Sequence, residues 1–131
     1  MAELAHDDPG SILGQRLVAQ RQHVFPLLVK ILDARETLSV QVHPGDNYAR
    51  AREGEPFGKA EVWYILDVEP QSSLIHGLKR PLTRADAEHA IETGTLRDVL
   101  AHVPVDPGDV VMNMPGTIHA LGEGLLLYEL Q

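Results

Sequence analysis

Seven residues, Leu38-Ser39-Val40-Gln41-Val42-His43-Pro44, constrain this chain more than any other stretch. Side chains along a strand switch sides at every residue, so Ser39, Gln41 and His43 share one face and Leu38, Val40 and Val42 the other. A solvated edge strand would more naturally carry Lys, Glu or Thr than a Gln/His pair ending in Pro. The polar face is therefore a candidate for half of a metal site.

Two further segments offer partners. Lys59-Ala60-Glu61-Val62-Trp63 alternates at its start, which sets the Lys59 ammonium and the Glu61 carboxylate on one face. The run from Gly108-Asp109 to Pro115-Gly116-Thr117-Ile118-His119 reads as strand, turn and strand, and it adds a second imidazole at His119. Neutral imidazole and carboxylate suit zinc and other divalent transition metals. A lone strand histidine is more often structural than a ligand, and only the combination changes that weighting. His6, His23, His76, His89 and His102 lack comparable contexts and read as surface or structural residues.

At these residues the chain resembles the type I mannose-6-phosphate isomerases, metal-dependent enzymes built on cupin barrels. The blocks that carry the resemblance are Phe25 to Ala34, Leu38 to Pro44, Gly58 to Ile65, Pro107-Gly108-Asp109, and Gly116-Thr117-Ile118-His119-Ala120. The resemblance implies a zinc ion held by Gln41, His43, Glu61 and His119. It implies a catalytic role for Lys59 and contacts from Ser39 to the substrate, a phosphorylated sugar undergoing aldose-ketose isomerisation between mannose 6-phosphate and fructose 6-phosphate. Met114-Pro115-Gly116 departs from the family's usual Pro-Ala-Gly, with the spacing to His119 kept. Relatives continue past the equivalent of Tyr128-Glu129-Leu130-Gln131 into a strand bearing a catalytic Arg. The resemblance therefore implies weak isomerisation by this chain alone, and uncovered strand edges that favour a homodimer. The alternative is a metal-binding cupin module with little activity by itself. Metal-dependent oxygen chemistry suits the scaffold but not these blocks.

Composition narrows the rest. At 131 residues the chain is expected to form one domain. A formal net charge of -8 argues against nucleic acid or an anionic membrane as partner, so a phosphorylated substrate must be held by local cations. Lys30, Lys59, Lys79 and Arg80 are the basic residues near the matching blocks, and Lys30 and Lys79 are expected beside Ser39 in substrate binding. With no cysteine, disulfides and thiolate zinc sites are excluded. The acidic start is not a secretory signal, no apolar run approaches the roughly 18 residues of a membrane span, and the cytoplasm is the expected compartment.

In chain order, residues 1–10 are expected to be disordered, and a helix capped by Ser11 is expected to run to about Arg21. Phe25 to Leu32 reads as a strand covered on both faces, with Lys30 either facing a cavity or snorkelling at its end. Asn47 to Phe57 reads as a surface loop or short helical turn. Glu61 to Val68 and Ser72 to His76 read as strands. Thr83 with Asp86 signals a helix capping box, Gly94 the helix end, and Thr95 the cap of a second short helix carrying Leu96, Val99 and Leu100. Asp109 to Met114, Thr117 to Leu121 and Leu125 to Leu130 complete the strands. Periodicity alone gives a mostly β chain. The family resemblance narrows this to a cupin-type jelly-roll barrel with an N-terminal helix and a short helical insertion at about residues 83–101.

Overall fold

The computed structural model describes residues 2–20 and 24–131. Among these residues, seven strands form two antiparallel sheets. The strands are β1 (Val29–Ala34), β2 (Glu61–Val68), β3 (Leu74–Leu78), β4 (Leu100–Val103), β5 (Val110–Asn113), β6 (His119–Ala120) and β7 (Leu125–Leu130). One sheet runs β1-β7-β2-β5 and the other β4-β3-β6.

Two strands of the larger sheet alternate in burial. In β2, Glu61, Trp63 and Ile65 turn inward, and in β7, Leu125, Leu127 and Glu129 do the same. Pairing of β1, β7, β2 and β5 then lines up Lys30, Glu129, Trp63 and Val111 in one cross-strand row on the inner face. Ala34, Trp63, Ile65, Leu74, Val105, Leu121, Leu125 and Leu127 close the core between the sheets. Burying a side chain such as Ile65 or Leu127 completely stabilises the fold by about 1.5–3 kcal/mol. A smaller cluster of Ile75, Leu100 and Ala120 lies under Val40, Leu96 and Ile118.

The outer face of the larger sheet is also apolar. Val29, Leu130, Val62 and Met112 form one row, and Ile31, Tyr128, Tyr64 and Val110 the next. Val29 is 50% exposed and Ile31 60%, so β1 is covered on one face, not on both as its composition suggested. An apolar strand composition records the absence of polar side chains, not the presence of a covering layer.

The organising segment at residues 38–44 is extended but too irregular for a full ladder. Leu38 N donates to Leu121 O, Gln41 and His119 exchange a pair of backbone bonds at 2.9 Å, and Gly116 N donates to His43 O. The register slips between these contacts, and Pro44 ends them, having no N–H to give. The segment thus lies beside β6, but only Gln41 makes a bridge.

Helical segments differ in detail from the sequence reading. Helices α1 (Ala2–Asp7) and α2 (Pro9–Leu13) occupy the region expected to be disordered, and α2 starts ahead of Ser11 because Asp8 supplies its cap and Pro9 is preset for a first turn. Gly14, at φ +80°, separates α2 from α3 (Gln15–Ala19), so the single helix expected from Ser11 is broken. Its expected end at Arg21 lies outside the described residues, as does His23. A short helix α4 (Asp46–Tyr48) follows Pro44 in the stretch read as a loop or helical turn, and the capping box then forms as read: Thr83 Oγ1 accepts from Asp86 N at 3.1 Å and starts α5 (Arg84–Glu92). Thr95 makes no such side-chain bond at α6 (Leu96–Val99), and Leu100, expected to be helical, instead begins β4. Gly77, at φ +79°, lies within the register shift of β3 against β4, and β3 extends to Leu78 past the expected end at His76.

Candidate metal centre

The inner face of the larger sheet ends at Glu61, the first residue of β2, which is 3% exposed. Around it the fold gathers three of the four expected ligands at close range. His119 Nε2 is 3.3 Å from Glu61 Oε2, and His43 Nε2 is 3.4 Å from Glu61 Oε1. Ligand atoms of the three residues all lie within 4.8 Å of one another. Bonds of about 2.0–2.1 Å in a tetrahedral arrangement separate neighbouring ligand atoms by about 3.3–3.4 Å, the distance of each imidazole from its own nearer Glu61 oxygen, Oε2 for His119 and Oε1 for His43.

One turn brings the two histidines together. Thr117 N donates to Met114 O, closing the Pro115-Gly116 turn in which Gly116 adopts φ +85°. Gly116 N then donates to His43 O, so the turn before one histidine is tied to the backbone of the other. Gly58 holds the third side. A Cβ there would stand 2.4 Å from Pro44 O and 2.6 Å from Gly45 C, and only glycine lets Lys59 N reach Pro44 O at 3.0 Å.

Hydrogen bonding fixes the chemistry of the imidazoles. Thr117 O can only accept, so His119 Nδ1 donates to it at 2.8 Å, and in the neutral ring, the metal-binding form, Nε2 keeps its lone pair. That Nε2 is buried without a hydrogen-bond partner and faces a carboxylate oxygen. A lone pair held against a carboxylate is an unfavourable contact that a cation between them would reverse. Burial, together with the nearby Lys59 ammonium, holds the His43 pKa below the usual histidine value despite the opposing pull of Glu61. His43 is therefore neutral near pH 7, the form that binds metal.

Lys59 supplies positive charge at the cluster, with Nζ 2.6 Å from Glu61 Oε1 and 3.1 Å from His43 Nε2. Gln41 and Ser39 line the same cleft of about 170 Å³, along with Lys30, Lys59, Glu61 and His119. The Gln41 amide donates to Ser39 Oγ at 3.1 Å. Lys79 is not brought to this cleft: its ammonium donates to Asp98 O at 2.9 Å, on the side of the helical insertion. Its proximity to the matching blocks in sequence did not carry over into space. Among the other described histidines, His76 Nε2 bonds Met112 O, His102 approaches Ser73 and His6 pairs with Asp7.

One lining residue had no role in the sequence reading. Glu129 is 4% exposed and its carboxylate accepts from Lys30 Nζ at 2.9 Å, from Trp63 Nε1 at 3.0 Å and from Gln131 Nε2. Burial pushes its pKa up, but the three donors outweigh burial and hold it below the ordinary carboxylate value. Alternation groups Glu129 with Leu125 and Leu127, but Leu126, Tyr128 and Leu130 make the opposite face equally apolar, so only the structure shows that the charged side of β7 is the buried one.

Inward-facing ligands set between two antiparallel sheets define a cupin-type jelly roll with a candidate metal centre. The chain belongs to the type I phosphomannose isomerases: the model of the family described as "Phosphomannose isomerase type I, catalytic domain" matches residues 1–79. It is 45% identical over 107 residues to the mannose-6-phosphate isomerase ManA of Bacillus subtilis (strain 168), covering 82% of this chain and 34% of that protein. The crystal structure of the Bacillus subtilis mannose 6-phosphate isomerase superposes with a TM-score of 0.79 at 33% identity, covering 88% of this chain and 39% of that one. A putative mannosephosphate isomerase from Archaeoglobus fulgidus gives 0.80 at 28% identity, covering 98% and 41%. The chain thus spans about a third of the length of the curated relatives it matches.

Proposed function

We propose that residues 1–131 act as one cupin domain forming the metal-holding part of a mannose-6-phosphate isomerase. The observation that carries this is the convergence of His43, Glu61 and His119, with an unpartnered buried Nε2, in a family whose curated relatives bear that name. His43, Glu61 and His119 would hold zinc, with Gln41 on the same wall as the fourth ligand. Zinc there would polarise sugar oxygens and stabilise the negative charge that develops as a proton moves between adjacent carbons.

The remaining chemistry falls to side chains of the cleft. Lys59 Nζ is the donor placed to protonate a substrate oxygen beside Glu61. Lys30 and Glu129 present a donor and an acceptor to the sugar's hydroxyls, with their mutual bond fixing both. Ser39 lies on the same wall and is available to the phosphate, whereas Lys79 is too far round the fold to share that role in this conformation.

A coupled assay of fructose 6-phosphate formation by the zinc-loaded protein tests the reading. The weak turnover expected of this chain by itself should disappear on chelation, and fall about 100-fold or more in Lys59→Met, the usual scale for a general acid or base. Metal binding with no turnover and no uptake of mannose 6-phosphate would leave the metal-binding module without catalysis.

A homodimer belongs to the same proposal, supported by the two apolar rows on the outer face of the larger sheet. Sedimentation equilibrium is expected to show self-association that Tyr64→Lys abolishes. A parent that stays monomeric at high concentration would remove the dimer. A cytoplasmic setting is likewise proposed from the absence of cysteine, and among the described residues no helix is long and apolar enough to cross a membrane.

A further inference from the structure

We propose that Asn113 is a positioning residue for the candidate metal carboxylate, donating its side-chain amide to Glu61 when a cation is bound. The proposal rests on the reading of His43, Glu61 and His119 as metal ligands. Asn113 is the last residue of β5 and lies directly opposite Glu61 in the β2–β5 pairing. Residues so paired project from the same face with Cβ atoms about 4.5–5.5 Å apart. Both are buried, Asn113 to 1% and Glu61 to 3% exposure.

The Asn113 amide is unsatisfied at both ends: neither Nδ2 nor Oδ1 has a hydrogen-bond partner. An amide in that state is a net cost to the fold, since both polar atoms have left water and gained nothing. Its inward neighbour on β5 is Val111, and an aliphatic side chain at 113 would fill the space without that cost. Nor does Asn113 line the cleft, so a substrate bound there does not account for its amide.

What the position offers is an amide on the strand paired with Glu61, within side-chain reach of its carboxylate. Oε1 of Glu61 takes Lys59, and Oε2 faces His119. An ionised carboxylate has about four acceptor sites, so sites remain for an amide donor. A carboxylate that binds a cation is oriented by such outer donors, and their loss typically weakens metal binding about 10- to 100-fold.

The test compares Zn²⁺ affinity, measured by competition with a chromophoric chelator, in the parent, Asn113→Val and Asn113→Thr, together with melting of each metal-free protein. Val and Thr have the same shape and differ by one hydroxyl. Expected is Zn²⁺ binding about 10- to 100-fold weaker in Asn113→Val, with partial recovery in Asn113→Thr and no loss of metal-free melting temperature in Asn113→Val. If the Val variant does not fold, Asn113→Ala, which cannot clash, takes its place. Affinity equal to the parent's in Asn113→Val, or equal in the Val and Thr variants, would overturn the proposal. A parent that binds no Zn²⁺ would overturn the metal-site reading itself, and this inference with it.

Discussion

His119→Ala is expected to strip the protein of metal under mild chelation that leaves the parent loaded. His119 contributes a buried Nε2 already oriented by the Thr117 carbonyl, so its removal deletes a ligand whose geometry was fixed in advance. The loss of affinity should exceed the roughly 10- to 100-fold that outer partners of a metal site cost. Because a ligand that binds only the folded state stabilises it by mass action, a metal at 100 times its Kd contributes about 2.7 kcal/mol. For a chain of this size that corresponds to a melting temperature about 10 °C higher with metal than without. The parent should show that difference and His119→Ala should not. Elemental analysis of the two proteins after the same chelation decides it, and equal metal content would sink the assignment.

Glu129→Gln is expected to destabilise the metal-free protein by about 2–3 kcal/mol at neutral pH, the scale of charge-assisted bonds to a buried carboxylate. Three donors converge on this carboxylate, from Lys30, Trp63 and Gln131. A glutamine presents an NH₂ where one of them needs an acceptor. The Lys30 share is the smaller part, since 38% of that side chain remains in water and screens the pair. The pH dependence separates charge from shape. Glu129 has a folded pKa below its unfolded value, so its ionisation stabilises the fold above the unfolded value of about 4.5 and ceases to do so as pH falls through the lower folded one. Asp8 and Asp86 are shifted the same way, but they are common to both proteins and cancel in the difference. Urea unfolding across pH 7 to pH 2 should therefore show the gap between parent and variant narrowing below about pH 4.5. A gap constant over that range would show that shape, not charge, sets the cost.

These two residues also show how unevenly the site was written in the sequence. His119 was legible because a turn signal at Pro115-Gly116 fixes the local path, and its spacing from the turn repeats a family pattern. His43 and Glu61 were legible for the same reason, each lying in a short stretch whose alternation sets its face. Glu129 occupies an equally clear alternating strand, yet its meaning depends on Lys30, 99 positions away, and Trp63, 66 positions away. No local pattern carries that.

The sequence by itself determined which residues of β2 and of β7 share a face, where α5 begins, and which residue types could bind a metal, because these follow from a two-residue period, a cap and side-chain chemistry. Tertiary structure decided the rest. Pairing of β1 with β7 and of β7 with β2 set Lys30, Glu129 and Trp63 in one row, and pairing of β2 with β5 put Asn113 opposite Glu61. It also left residues 38–44 as an irregular neighbour of β6 and carried Lys79 away to the helical insertion. Strand alternation states only which side of the chain a residue faces. What it faces is fixed by register between distant strands, and register is a property of the assembled sheets.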